Sequence, residues 1–136
     1  DMLAEAKLTP ELRNEALYFR AKAYLNQQAD KKAMNDLQAL AKDTRTLYGA
    51  EAKYLVALQL YKAHEYAAAE KEILNFIEQS TPHAYWLARS FILLSDVYVA
   101  MDKKLDARQY LLSLQQNYHA DDDIEQMINE RLEKLK

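Results

Sequence analysis

Apolar residues recur three or four positions apart along nearly the whole chain, which is the period of an α-helix with one buried face. This pattern predicts seven helices, near residues 10–27, 30–43, 46–63, 65–79, 82–101, 104–118 and 122–135. The connections inside the first three helix pairs are one or two residues long. Because such short connections join antiparallel neighbours, the chain is predicted to form successive helical hairpins followed by one last helix.

Two threonine–proline pairs and one run of acids mark predicted helix starts. Thr9 and Thr81 each offer a hydroxyl that can accept a backbone N–H bond, and each is followed by a proline, which is favoured at the first helical position. Three aspartates at 121–123 precede Ile124, where carboxylates complement the helix dipole. The run lacks the alternating acids and the glycine of a calcium loop, so it predicts helix capping.

The hairpins are internally repetitive. Alanine recurs in the second helix of each pair at 33, 69 and 107, so the period is 36 residues and then 38. Small residues stand twelve positions before these alanines, and large apolar residues stand four and seven positions after them. The members are Ala21, Ala57 and Ser95; Leu37, Ile73 and Leu111; and Leu40, Phe76 and Leu114. Small residues allow close helix crossing, and the large ones fill the layer between hairpins.

This pattern resembles the tetratricopeptide repeat, whose first helix carries a large, a small and an aromatic residue and whose second helix carries alanine and two apolar residues. The first repeat supplies Leu17, Ala21, Tyr24, Ala33, Leu37 and Leu40, and the third supplies Phe91, Ser95, Tyr98, Ala107, Leu111 and Leu114. The resemblance implies an all-α, right-handed superhelical solenoid forming a single domain over residues 1–136. Its repeats would be 9–45, 46–80 and 81–119, with a capping helix at 121–136.

The chain departs from the usual repeat in three ways. The repeats are longer than usual, the closing proline is missing, and Lys53 stands where a large apolar residue is expected. Such divergent repeats are similar to those of bacterial cell-envelope proteins, among them outer-membrane assembly lipoproteins and the Tol–Pal coordinator. The likeness favours a periplasmic or cell-envelope location over a cytoplasmic one.

The two ends of the chain give different expectations. The last helix has an apolar face and polar remaining faces, which suits a cap over the final repeat and predicts a true C-terminus. Residues 1–8 read as the tail of a preceding second helix. We therefore expect the chain to be the C-terminal part of a longer protein with more repeats upstream.

Composition excludes several function classes. The net charge is −3, whereas nucleic-acid binders usually carry a basic excess. There is no cysteine, and no apolar run approaches the ~20 residues needed to span a bilayer. The three histidines are far apart and lack metal-pair spacing, and the only glycine builds no phosphate loop. The sequence thus predicts no enzyme activity, no metal and no cofactor.

Tyrosine is the most informative residue type, with ten in the chain. In the family that the chain resembles, the inner faces of the first helices line a concave groove that binds other proteins. The resemblance places six residues in such a groove: Tyr18, Lys22, Tyr54, Tyr61, Arg89 and Asp96. The predicted function is a protein-interaction scaffold that receives a peptide or helix. The alternatives are an assembly module that stacks on further repeats of the same or another chain, and, third, an RNA-binding helical repeat.

Overall fold

The computed structural model describes residues 9–136, which fold into seven α-helices without any β-strand. Their bounds are α1 Pro10–Asn26, α2 Asp30–Leu40, α3 Leu47–Lys62, α4 Tyr66–Glu78, α5 Ala84–Ala100, α6 Lys104–Asn117 and α7 Ile124–Lys134. The predicted all-α class is confirmed, and each predicted helix is present with its ends within a few residues. The expectation for residues 1–8 lies outside the described part of the chain.

Consecutive helices pack in pairs as hairpins, and each hairpin packs on the next one. Helix α1 packs on α2, α3 on α4 and α5 on α6. Each second helix also packs on the first helix that follows it, so α2 contacts α3, α4 contacts α5 and α6 contacts α7. The helices α1, α3, α5 and α7 contact one another in that order. We call these four the front row, because they carry the candidate site.

The repeating small residues lie where the helices meet. The five alanines and one serine of the repeat are all buried: Ala21, Ala33, Ala57, Ala69, Ser95 and Ala107. The large residues that follow them are buried as well: Leu37, Leu40, Ile73, Phe76, Leu111 and Leu114. The spacing seen in the sequence therefore identifies the packing positions of the fold.

A substitution at one of these crossings should show how tightly it is packed. Ala69 is completely buried in α4, so Ala69→Leu adds three carbon atoms at a position that solvent does not reach. We expect the free energy of unfolding to fall by ~1–3 kcal/mol, measured by guanidinium titration. Ala68→Leu, on the exposed face of the same helix, is the matched control and should change stability little. If Ala69→Leu lowers the free energy of unfolding by only a few tenths of a kcal/mol, a close helix crossing at this position is contradicted.

The three hairpin turns repeat the same period. Each contains one non-glycine residue in the left-handed region: Gln28 at φ 59°, His64 at φ 62° and Asp102 at φ 61°. They are spaced by 36 and then 38 residues, as the alanines are. This conformation usually favours glycine, so the chain uses one strained turn three times, which is independent support for the repeat.

Lys53 explains one departure from the repeat. Its side chain is buried, and its ammonium Nζ lies 2.7 Å from Glu72 Oε1 and donates to Asn75 Oδ1 at 2.8 Å. Both partners lie on α4, which is the other half of the same hairpin. A buried charge is tolerated only when it is paired. Lys53 can therefore occupy an apolar position of the repeat, since Glu72 and Asn75 bind its ammonium group.

The helix start predicted at Thr9 is confirmed, whereas the one predicted at Thr81 is displaced along the chain. Thr9 accepts a bond from Leu12 N at 3.2 Å and caps α1. Helix α5, however, begins at Ala84, two residues after the proline that was expected to open it. The hydroxyl of Thr81 does accept a backbone bond, from His83 N at 3.2 Å, and it donates to the backbone oxygen of Thr44 at 2.7 Å. It therefore ties together the two loops between hairpins, which the local sequence does not reveal.

The aspartates at 121–123 contact another helix in addition to capping α7. Asp122 accepts a bond from Ile124 N at 3.0 Å, as expected for a residue at a helix start. Asp123 instead accepts a hydrogen bond from the Tyr85 hydroxyl at 2.9 Å. Ile124 and Ile128 are buried in one cluster with the large residues of α6. Helix α7 thus covers the apolar face of the third hairpin.

Candidate functional site

An open cavity of about 530 Å³ lies at the end of the front row, where α3, α5, α6 and α7 converge. Its lining combines an aromatic ring, aliphatic side chains and both signs of charge: Tyr61, Ser95, Asp96, Val99, Lys104, Glu130, Arg131, Lys134 and Leu135. We call this the α3–α5–α7 cavity. Two of the six predicted groove residues, Tyr61 and Asp96, lie in its wall.

A bidentate ion pair fixes one wall of the cavity. Arg131 donates from Nε to Asp96 Oδ1 at 2.9 Å and from Nη2 to Oδ2 at 3.0 Å. The guanidinium also donates to the backbone oxygen of Met127 at 3.3 Å. Since a planar fork meeting a carboxylate is the most directional ion pair in proteins, this contact holds α7 in register against α5.

Tyr61 contributes an aromatic ring to the lining of the cavity. Its ring lies 5.8 Å, centroid to centroid, from that of Tyr66. Burial of the phenol and the negative charge of Asp96 raise the pKa of Tyr61 above its usual value. The hydroxyl therefore stays protonated at physiological pH and can donate a hydrogen bond to a ligand.

The predicted residues of α1 form a second cluster, which points across to α3. The Tyr18 hydroxyl donates to the carboxylate of Glu51 at 3.1 Å, and Lys22 Nζ lies 3.1 Å from Glu51 Oε2. Burial and the negative Glu51 raise the pKa of Tyr18 to about 12. The ring of Tyr18 packs on that of Tyr48, with 4.6 Å between centroids. These residues therefore hold α1 against α3.

Tyr54 conflicts with its predicted role as an exposed anchor. Its side chain is buried, with only 6% of the residue accessible. The ring lies 5.6 Å from that of Trp86 on α5, and its hydroxyl accepts a bond from Arg89 Nη2 at 3.2 Å. The reason is that the position faces the next front-row helix rather than open solvent. Tyr54 thus packs hairpins together, and the interpretation that it anchors a partner is corrected.

Arg89 is engaged within the fold as well. Its Nη1 donates to the Tyr85 hydroxyl at 2.9 Å and lies 3.7 Å from a carboxylate oxygen of Asp123, while its guanidinium carbon lies 5.2 Å from the centre of the Tyr54 ring. Its Nε is buried and has no hydrogen-bond partner among residues 9–136. The six predicted residues therefore form three clusters, each joining one front-row helix to the next.

Sequence reasoning missed the partners of these residues, namely Glu51, Trp86 and Arg131. One signal was available: complementary side chains on successive front-row helices stand about one repeat apart. Tyr54 and Arg89 are 35 residues apart, as are Asp96 and Arg131, and Tyr18 and Glu51 are 33 apart. A search for complementary polar pairs at that spacing would have identified the clusters.

Among residues 9–136, no group of three or more histidine, aspartate or glutamate side chains is arranged to hold a metal ion. Within the same residues, no helix is both long and apolar enough to cross a bilayer. No protein-family model, curated protein or solved structure matches the sequence. The geometry of the cavity and of the helix surfaces is therefore the basis for assigning a function.

Proposed function

We propose that this protein is a binding scaffold of tetratricopeptide-like hairpins, and that the α3–α5–α7 cavity receives a segment of another protein. The observation that carries the proposal is the cavity itself, an open recess of about 530 Å³ between front-row helices. The stacked order of the hairpins supports a right-handed superhelical solenoid with α7 as its cap. In such an arrangement the front row lines the inner surface.

The lining favours a particular kind of segment. Tyr61, Val99 and Leu135 offer contact for one large apolar side chain. Lys104 and Lys134 are exposed at the cavity and make no ion pair within residues 9–136. Because unpaired ammonium groups beside an apolar recess complement a carboxylate next to an apolar anchor, we expect a peptide with an acidic residue beside an aromatic or aliphatic one.

Selection of peptides on the purified chain tests this function. A random twelve-residue library is selected for binding, and the enriched peptides are titrated by calorimetry against the parent chain and its variants. An aromatic anchor at an interface centre contributes ~2 kcal/mol, so Tyr61→Ala should weaken binding about 30-fold. Reversal of charge in Lys104→Glu/Lys134→Glu should remove the preference for acidic residues.

Tyr110→Ala supplies the matched control, because Tyr110 is also a half-buried tyrosine on a helix but does not line the cavity. This variant should bind the selected peptides as the parent chain does. Peptides that bind Tyr61→Ala as tightly as the parent, or a selection that enriches none, would contradict the proposed site. The alternative function, assembly with further hairpins, is favoured by a different feature, the exposed face of α1.

A further inference from the structure

One buried hydroxyl in the wall of the α3–α5–α7 cavity has no hydrogen-bond partner within the fold. Ser95 lines this cavity and is only 1% exposed, and its Oγ is bonded to no other group of residues 9–136. A buried hydroxyl without a partner costs free energy, because it has lost its bonds to water. Such a group at a cavity wall suits a ligand that supplies the missing bond.

Helix packing does not require this hydroxyl. The equivalent positions of the first two repeats are Ala21 and Ala57, both buried, so alanine fills the helix crossing equally well. Ser90, five residues earlier on α5, is also completely buried, but its hydroxyl donates to the backbone oxygen of Trp86 at 2.9 Å. A helical serine commonly satisfies its hydroxyl through such a bond to the residue four positions back. Ser95 makes no such bond, so its hydroxyl stays available to the cavity.

The charged groups of the cavity leave one positive charge in excess. The lining includes three cationic and two anionic side chains, namely Lys104, Arg131, Lys134, Asp96 and Glu130. Arg131 and Asp96 neutralise each other in their bidentate ion pair. Helix α6 begins at Lys104 and has no side-chain cap among the described residues, so the positive end of its dipole lies at the cavity. The cavity therefore favours a ligand group with one negative charge.

We propose that Ser95 is the specificity-determining residue of the cavity, and that its hydroxyl donates to the carboxylate of a glutamate side chain from the bound segment. The Tyr61 hydroxyl is a second donor on the same lining, and the exposed Lys104 and Lys134 supply the opposite charge. Hydrogen bonds to a charged acceptor are about twice as strong as those between neutral groups. The hydroxyl thus distinguishes glutamate from its neutral counterpart, glutamine.

A glutamate side chain suits the cavity better than other sources of negative charge. Only methylene groups follow its carboxylate, and these contact aliphatic side chains such as Val99 and Leu135. Aspartate has one methylene group fewer with which to reach a buried wall. A chain terminus would bring backbone N–H and C=O groups against the aliphatic surface, where they lack partners. A phosphorylated side chain carries nearly two negative charges, which exceeds the single positive charge of the lining.

Four synthetic peptides with phenylalanine as the apolar anchor test the assignment. The first has blocked ends and a glutamate beside the phenylalanine, and the second has glutamine in that place. The third has neither residue but ends in a free carboxylate, and the fourth has blocked ends and a phosphoserine. Dissociation constants are measured by NMR titration of the parent chain and of the variants Ser95→Ala, Ser90→Ala and Tyr61→Ala.

We expect Ser95→Ala to weaken binding of the glutamate peptide about tenfold and binding of the glutamine peptide less than about threefold, because the lost bond is charge-assisted only in the first. Ser90→Ala is the matched control, since it removes an equally buried hydroxyl that is bonded within α5 and does not line the cavity. This variant should bind both peptides as the parent does. Equal losses for the two peptides, or no loss in Ser95→Ala, would overturn the proposal.

The stability of Ser95→Ala gives a second readout that needs no ligand. Removal of an unsatisfied hydroxyl breaks no bond, and alanine is already the residue of the equivalent positions Ala21 and Ala57. The guanidinium midpoint of Ser95→Ala should therefore equal or exceed that of the parent chain. A clear fall would show that the hydroxyl is bonded inside the fold, which contradicts the proposed role.

Because the role of Ser95 rests on the proposed function, Tyr61→Ala separates the failure of one from the failure of the other. If Tyr61→Ala weakens binding of the glutamate peptide and Ser95→Ala does not, the cavity binds the segment but the role of Ser95 fails. If neither substitution changes the affinity, both fail. A glutamate peptide that does not bind the parent chain overturns the role of Ser95, while the library selection still decides the proposed function. Tighter binding of the third or fourth peptide overturns the choice of glutamate.

Discussion

Removal of residues 121–136 is expected to destroy the cooperative unfolding of the third hairpin and to cause aggregation. The deletion uncovers Leu111 and Leu114, which α7 now shields. It also removes Ile124 and Ile128, and burying each such side chain contributes ~1.5–3 kcal/mol. Two of them amount to a large share of the ~5–15 kcal/mol that stabilises a typical domain. The lost bidentate bond between Arg131 and Asp96 adds to the effect.

Guanidinium titration and size-exclusion chromatography measure this effect. The double substitution Ile124→Ala/Ile128→Ala separates the apolar contribution from the loss of the whole helix, and it should account for most of the destabilisation. Glu133→Ala, on the exposed side of α7, should leave stability unchanged. A truncated chain that remains monomeric and unfolds at the same guanidinium concentration would show that α7 is not a cap.

Gly49→Ala is expected to destabilise the chain by ~2–3 kcal/mol, at the upper end of the range for overpacking. A Cβ atom at Gly49 would lie 1.8 Å from the backbone oxygen of Asp43 and 2.7 Å from the hydroxyl oxygen of Thr46. Backbone cannot rotate away as a flexible side chain can, so the connection between the first two hairpins must move. That connection also carries the cap of α3, in which Thr46 accepts a bond from Gly49 N at 2.9 Å.

Gly49→Ala is expected to lower stability, whereas helix propensity alone would raise it, so the experiment separates the two effects. Alanine is favoured over glycine inside a helix by ~1 kcal/mol, so an uncrowded site would gain stability from the change. Ala67→Gly, at an exposed position of α4, measures that propensity difference in this protein. If Gly49→Ala raises the guanidinium midpoint, the close approach of the Asp43 carbonyl to α3 is wrong.

Much of the fold follows from local pattern, because helix periodicity and small residues act over a few turns. The seven helices and the buried positions at Ala33, Ala69 and Ala107 were predicted from spacing alone, and the structure confirms them. The cap of α1 by Thr9 was equally local. The start of α5 was not, since the hydroxyl of Thr81 bonds to Thr44, 37 residues away.

The candidate site was predicted less well than the fold. The resemblance to the tetratricopeptide repeat assigned six residues to one concave surface, and the structure brings two of them, Tyr61 and Asp96, to the wall of one cavity. It could not show what stands opposite each of these residues. Tyr54 and Tyr18 are equivalent in the repeat, yet Tyr54 is buried beneath Trp86 and Arg89 whereas Tyr18 remains half-exposed beside Glu51.

The reason lies in the range of the interactions. Periodicity along one helix records which face is apolar, and that information survives in a single sequence because the residues are near neighbours. The partner of that face depends on how successive hairpins stack, and this brings together side chains about 35 residues apart, such as Asp96 and Arg131. Only their arrangement in space makes Leu55 a covered residue and leaves its repeat equivalent, Phe19, exposed.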